Sequence, residues 1–139
     1  MEKKIGSYRE LDIATAGRLD LLIKLYQGFA DFVAIAKKAI EENSPSRRSW
    51  SIAKARAIVH ELQNTLDPRA SAEIARNLYL LYDFVLHRLH IANEENSVQA
   101  LDEALLVMNT LQSGWEEIAS KVKPQIAQKP DAPVLEIKA

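Results

Sequence analysis

The run from Ile74 to Asn93 constrains this chain more than any other segment, because it is apolar on too many sides for a surface helix. At 100° per residue, Ile74, Leu78, Leu81, Val85 and Leu89 form one stripe, the pattern of a core-facing side. Leu80, Phe84 and Ile91 form a second stripe on a different face, with His87 at its border. Arg76, Asp83, His90 and Glu94 make the one clearly polar ridge. A helix apolar most of the way round must be enclosed. In a chain of 139 residues, the enclosure is either the centre of a bundle or a partner that has still to bind.

The rest of the chain supplies the other helices of a bundle. A first helix is predicted from about Gly17 to Glu42, N-capped by Thr15 and stopped by Asn43-Ser44-Pro45. Leu21, Leu22, Leu25, Phe29, Phe32, Val33, Ala36 and Ile40 recur along one side of it. Gly28 inside this helix costs about 1 kcal/mol against alanine, so a close neighbouring helix is expected there. A second helix runs from Ser46 or Arg47 to Leu66, burying Ile52, Ala55, Ile58, Val59, Leu62 and Leu66. Asp67-Pro68 reads as the opening of the third helix, and Asn96 to Gln99 as a capping box for the fourth. The fourth turns Leu101, Ala104, Leu105, Met108, Leu111, Trp115 and Val122 inward. Short connections between long helices force antiparallel neighbours. The expected fold is all-α, an antiparallel up-down four-helix bundle over residues 1–123, with residues 1–16 as a capping segment. Pro124, Pro130 and Pro133 predict a flexible tail over 124–139.

Composition excludes several classes of function. Eighteen basic and 19 acidic residues are interleaved to a net charge of −1. That gives a nucleic acid or an anionic membrane no basic stripe to follow. No cysteine is present, which removes disulfides and thiolate chemistry. The N-terminus lacks the apolar stretch of a secretion signal, and no window is apolar for the length of a bilayer. The expected location is the cytoplasm, with no membrane insertion.

Three stretches, taken together, resemble the flagellar secretion chaperone family (FliS). The first holds Tyr8, Ile13-Ala14-Thr15-Ala16, and Leu21-Leu22-x-x-Leu25-Tyr26-x-Gly28. The second is Ala55-x-x-Ile58-x-x-Glu61-Leu62-x-x-x-Leu66-Asp67. The third is Glu73-Ile74-Ala75-x-Asn77-Leu78-x-x-Leu81-Tyr82, followed by Arg88-Leu89-x-x-Ala92-Asn93 and, later, Trp115. The likeness runs from about Tyr8 to Ile118. Gly17-Arg18, Gln27 and Ser71-Ala72 depart from the family pattern, which has Ser-Pro, Asp and paired glycines there.

The resemblance implies a helical bundle that binds the C-terminal segment of flagellin before export and prevents premature polymerisation. Export-gate components or a co-chaperone are further partners of that kind. Such a client is disordered when free, and ordering it is costly, so its interface must be large. In the family, an N-terminal tyrosine-bearing stretch covers part of the groove when no client is present. Here that role falls to Ile5, Tyr8, Leu11 and Ile13. The candidate partner-binding residues are Ile5, Tyr8, Ile13, Tyr26, Asn77, Leu80, Tyr82, Phe84 and Ile91. For Tyr26, Tyr79 and Tyr82, core packing is the competing reading. Singly exposed Trp50 and Leu106 are ordinary for a surface, or the rim of a client groove.

Other chemistries find little support. Asp83, His87, His90 and Glu94 share one helical face, but no other helix offers an inward Glu-x-x-His partner, so a solvated ridge is the expected reading. There is no Gly-x-Ser-x-Gly turn and no glycine-rich phosphate loop, and the paired acids sit on polar faces or helix ends. The chain is expected to be no enzyme and to need no cofactor. The alternatives are a self-associating bundle, its second stripe closed by a homodimer, and a divergent family member with another client.

Overall fold

The computed structural model describes the backbone of residues 2–128 and the side chains of residues 17–122. Four helices follow one another: α1 (Glu2–Glu41), α2 (Pro45–Asn64), α3 (Ala72–Glu95) and α4 (Val98–Gln128). They divide between two compact units, one made of residues 25–111 and the other of residues 1–24 with 112–139.

The unit of residues 25–111 is an antiparallel bundle of segments from all four helices. Its cross-helix pairs give the directions: Gly28 and Phe32 of α1 meet Ile58 and Trp50 of α2, so later residues of one face earlier residues of the other. The same reversal holds between α2 and α3, where Gln63 bonds Asp83 and Arg48 bonds Asn93. Lys37 of α1 is paired with Asp102 of α4 at 2.7 Å, and Arg88 of α3 with Glu103 of α4 at 3.0 Å. Tight corners make this possible. Asn43 and Asn96 adopt left-handed backbone, and the next residue's N–H turns back to the carbonyl five positions earlier. Pro45 then opens α2 at a position where no amide donor is needed.

The core of this unit is close to the sequence expectation in α2, where Ile52, Ala55, Val59 and Leu62 are fully buried and Ile58 half-buried; the helix ends at Asn64, so Leu66, expected as its last residue, is half-buried just beyond it. Phe29, Val33, Ala36 and Ala39 of α1 and Leu101, Ala104 and Met108 of α4 complete it. Gly28 has the expected close neighbour: a Cβ there would lie 3.3 Å from Ile58 Cδ1.

In the unit of residues 1–24 and 112–139, Leu19 and Ala119 are buried. Asp20 and Ile23 of α1 line a recess with Glu116, Ala119 and Ser120 of α4. Leu21, expected inside, is 62% exposed.

Several helix ends differ from expectation. α1 begins at Glu2 and passes through Thr15, which is therefore not a cap. α3 starts at Ser71, not Asp67: the Ser71 hydroxyl accepts from the Ile74 amide at 3.2 Å. The Asp67 carboxylate is already taken by the backbone N–H and guanidinium of Arg69, which hold it below the usual carboxylate range. Asn96 closes α3, and Ser97 caps α4 by accepting from Ala100 at 3.0 Å. α4 continues past Pro124 to Gln128, although proline lacks the amide of the i−4 hydrogen bond and is costly inside a helix. The expected tail beyond Gln128 lies outside the described residues, as do the side chains of Ile5, Tyr8, Leu11 and Ile13.

Candidate functional site

α3 buries less of its apolar surface than its first stripe predicts. Its buried line is Tyr82, Val85, Leu89 and Ala92, with Leu78 half-buried. Ile74 and Leu81, expected in the core, are 60% and 38% exposed. The reason lies in Tyr82. Its ring fills the core and its hydroxyl lies 2.5 Å from that of Tyr26 on α1, so the inward face of the helix is turned far enough to include Tyr82 at its edge. Leu81 consequently falls on the flank, whereas Ile74 shares the angular position of buried Ala92 and is exposed in the first turn of the helix. Burial, then the bond to Tyr26, raises the Tyr82 phenol far above the ordinary tyrosine range and keeps it neutral.

That rotation leaves an apolar arc in solvent. Leu80 and Phe84 are 51% and 44% exposed. With Leu81, Ile74 and the exposed Asn77 they occupy one side of the first four turns of α3. Ile91 lies on the same side, two turns beyond Phe84, and is half-buried. The arc has a polar border on each flank. Toward α2, Gln63 Nε2 donates to the Asp83 carboxylate at 2.8 Å and to the Tyr79 carbonyl at 3.3 Å. Toward α4, Arg88 Nη1 donates to Glu103 at 3.0 Å. Leu106, one turn beyond Glu103 on α4, is also exposed. Contiguous apolar surface on one face of a folded unit marks a place where something binds.

Arg88 is the charged group set into this arc. Its Nη2 donates to His87 Nδ1 at 3.0 Å. Its guanidinium carbon lies 5.7 Å from the centroid of the Phe84 ring. Its Nε is buried and has no hydrogen-bond partner.

The sequence candidates therefore separate. Asn77, Leu80 and Phe84 come together on the exposed face, with Ile91 farther along it. Tyr26 and Tyr82 also come together, but each is 1% exposed and belongs to the core. Ile5, Tyr8 and Ile13 lie outside the described side chains. Sequence reasoning missed Ile74, Leu81 and Arg88 as parts of the face. The available signal for Arg88 was its position one turn after Phe84, where a cation can lie over a ring. Among the described residues, no three His, Cys, Asp or Glu side chains gather as a metal site. On the polar ridge, Asp83 is engaged by Gln63 and His87 by Arg88. No helix among the described residues is long and apolar enough to cross a membrane.

A family model described as flagellar protein FliS matches residues 1–122. The chain belongs to the FliS family. It is similar to the flagellar secretion chaperone FliS of Escherichia coli, at 28% identity over 122 residues, 87% of this chain and 88% of that one. FliSB of Pseudomonas aeruginosa, also a flagellar secretion chaperone by name, is 32% identical over 110 residues, covering 79% and 87% of the two chains. For FliS of Campylobacter jejuni the identity is 35% over 98 residues, covering 70% and 77%. These FliS relatives are named chaperones, not enzymes. The departures from the FliS pattern fall at harmless places. Gln27 is exposed on α1, Gly17 and Arg18 are exposed within it, and Ser71 replaces a glycine with a working cap.

Proposed function

We propose that this FliS-family chain is a cytoplasmic export chaperone that takes the C-terminal segment of flagellin onto the exposed face of α3. The observation that carries the reading is the row Leu80, Leu81 and Phe84, large apolar side chains in solvent on a helix that also buries Tyr82, Val85, Leu89 and Ala92. A helix-forming or extended client can lay its own apolar side chains on such a row. Each large side chain transferred from water contributes about 1.5–3 kcal/mol, which offsets the cost of ordering the client. Covering the client's polymerising surface would keep it monomeric until it reaches the export gate, with or without a co-chaperone.

Calorimetric titration of the full chain with a synthetic flagellin C-terminal segment tests this, with light scattering on the same samples. The expected result is a one-to-one complex with a large negative heat-capacity change. A stable homodimer that ignores the segment would contradict the reading and assign the apolar row to self-association.

A further inference from the structure

We propose that Arg88 is a positioning residue of the client site, and that its Nε–H donates a hydrogen bond to a main-chain carbonyl of the bound segment. The inference rests on the flagellin reading above and adds a polar contact to an otherwise apolar site. Two of the three guanidinium nitrogens are occupied within the protein, Nη1 by Glu103 and Nη2 by His87. The third, Nε, is buried without an acceptor, although its neighbours in the arc are substantially exposed. A buried donor without a partner is a rare and costly feature, and every folded copy of the free protein carries that cost. It persists where another state of the molecule relieves it.

The location decides what relieves it. Phe84, whose ring lies 5.7 Å from the guanidinium carbon, is 44% exposed, so Arg88 stands at the exposed face. A client settling on Leu80, Leu81 and Phe84 brings its own backbone beside Arg88, whose side chain is 24% exposed. The charge of Arg88 is already balanced by Glu103, so Nε calls for a neutral acceptor rather than a carboxylate. Main-chain carbonyls left unpaired are abundant in an extended stretch and at the end of a helix, but not within a helix. Arg88 therefore fixes where along the client the extended or terminal turn falls, a function that apolar packing alone performs poorly.

The test follows the Arg88 Nε–H resonance of the full chain by nitrogen-15 NMR during titration with the flagellin C-terminal segment. Binding should move the proton resonance downfield and slow its exchange with water, in wild type and in Glu103→Gln alike. Arg88→Lys keeps the charge but not the donor geometry, and should bind the segment about tenfold or more weakly at an unchanged stoichiometry. Melting temperatures of both variants separate this loss from unfolding, and the wild-type resonance decides the matter if Arg88→Lys folds poorly. A segment that binds while the resonance stays in place overturns the proposal and leaves the flagellin reading standing. A wild-type protein that does not bind the segment overturns both.

Discussion

The Tyr26 hydroxyl lies 2.5 Å from the Tyr82 hydroxyl in the interior of the 25–111 unit, and this pair sets the rotation of α3. With Tyr82 inside, Val85 and Leu89 follow it inward, while Leu80 and Phe84 are left outside. The exposed arc is the other side of that one choice.

Tyr82→Phe should keep the ring in place and cost about 1 kcal/mol, the usual net worth of a hydrogen bond. Tyr82→Ala should cost about 3–5 kcal/mol through the cavity it leaves. Urea denaturation of each variant measures both. A Tyr82→Phe protein as stable as wild type would show that the hydroxyl pair adds nothing to the inward turn.

The same pair sets an alkaline limit. Folding raises the Tyr82 phenol above its unfolded range, so below a pH of about 10 both states are protonated and its contribution is fully present. Above that, the unfolded chain releases the proton and the folded one keeps it, so stability falls as pH rises. Denaturation at neutral pH and near pH 11 should show a steeper loss in wild type than in Tyr82→Phe. Equal losses would contradict the buried, neutral phenol.

The close approach at Gly28 gives a third test. A Cβ there would meet Ile58 Cδ1 at 3.3 Å, the free end of a half-buried side chain. Gly28→Ala should therefore recover only part of the roughly 1 kcal/mol of helix propensity. In an Ile58→Val background, which removes that methyl group, it should recover more. A double-mutant cycle with no coupling would mean that the two helices do not meet there.

Capping supplies a fourth. Ser71→Ala and Ser97→Ala each remove the acceptor of a first-turn amide and should each cost about 1 kcal/mol. Asp67→Ala, at the site the sequence favours as a cap, should cost less than Ser71→Ala in the same thermal melts.

These residues also show what was legible in the sequence. The number, order and type of the helices were legible, because each carries an unbroken apolar period. The α2 core line was legible because Ile52, Ala55, Val59 and Leu62 recur at helical spacing. α3 was harder because two of its faces are apolar, and periodicity alone cannot choose its rotation. Tyr82 chose it, through a bond to a residue 56 positions away that no local pattern encodes. Helix starts failed where two capping residues lay close together: Asp67 and Ser71 are both suitable, and Arg69 engages the first. The exposed pair Leu80 and Phe84 was legible as a surplus stripe, whereas the orphaned Nε of Arg88 depends on side-chain placement and had no signature of its own.

On the proposed reading, the surplus apolar face of α3 serves a client and not the core. The most direct test is the affinity for the flagellin C-terminal segment of Phe84→Asp and Leu80→Asp, set beside Val85→Asp as the core control. A charge at fully buried Val85 should cost several kcal/mol and leave the protein poorly folded. At half-exposed Phe84 or Leu80 it should shift the melting temperature by only a few degrees and abolish binding, because the client would have to bury an unpaired carboxylate. Folded Phe84→Asp and Leu80→Asp proteins that bind the segment as tightly as wild type would contradict the account.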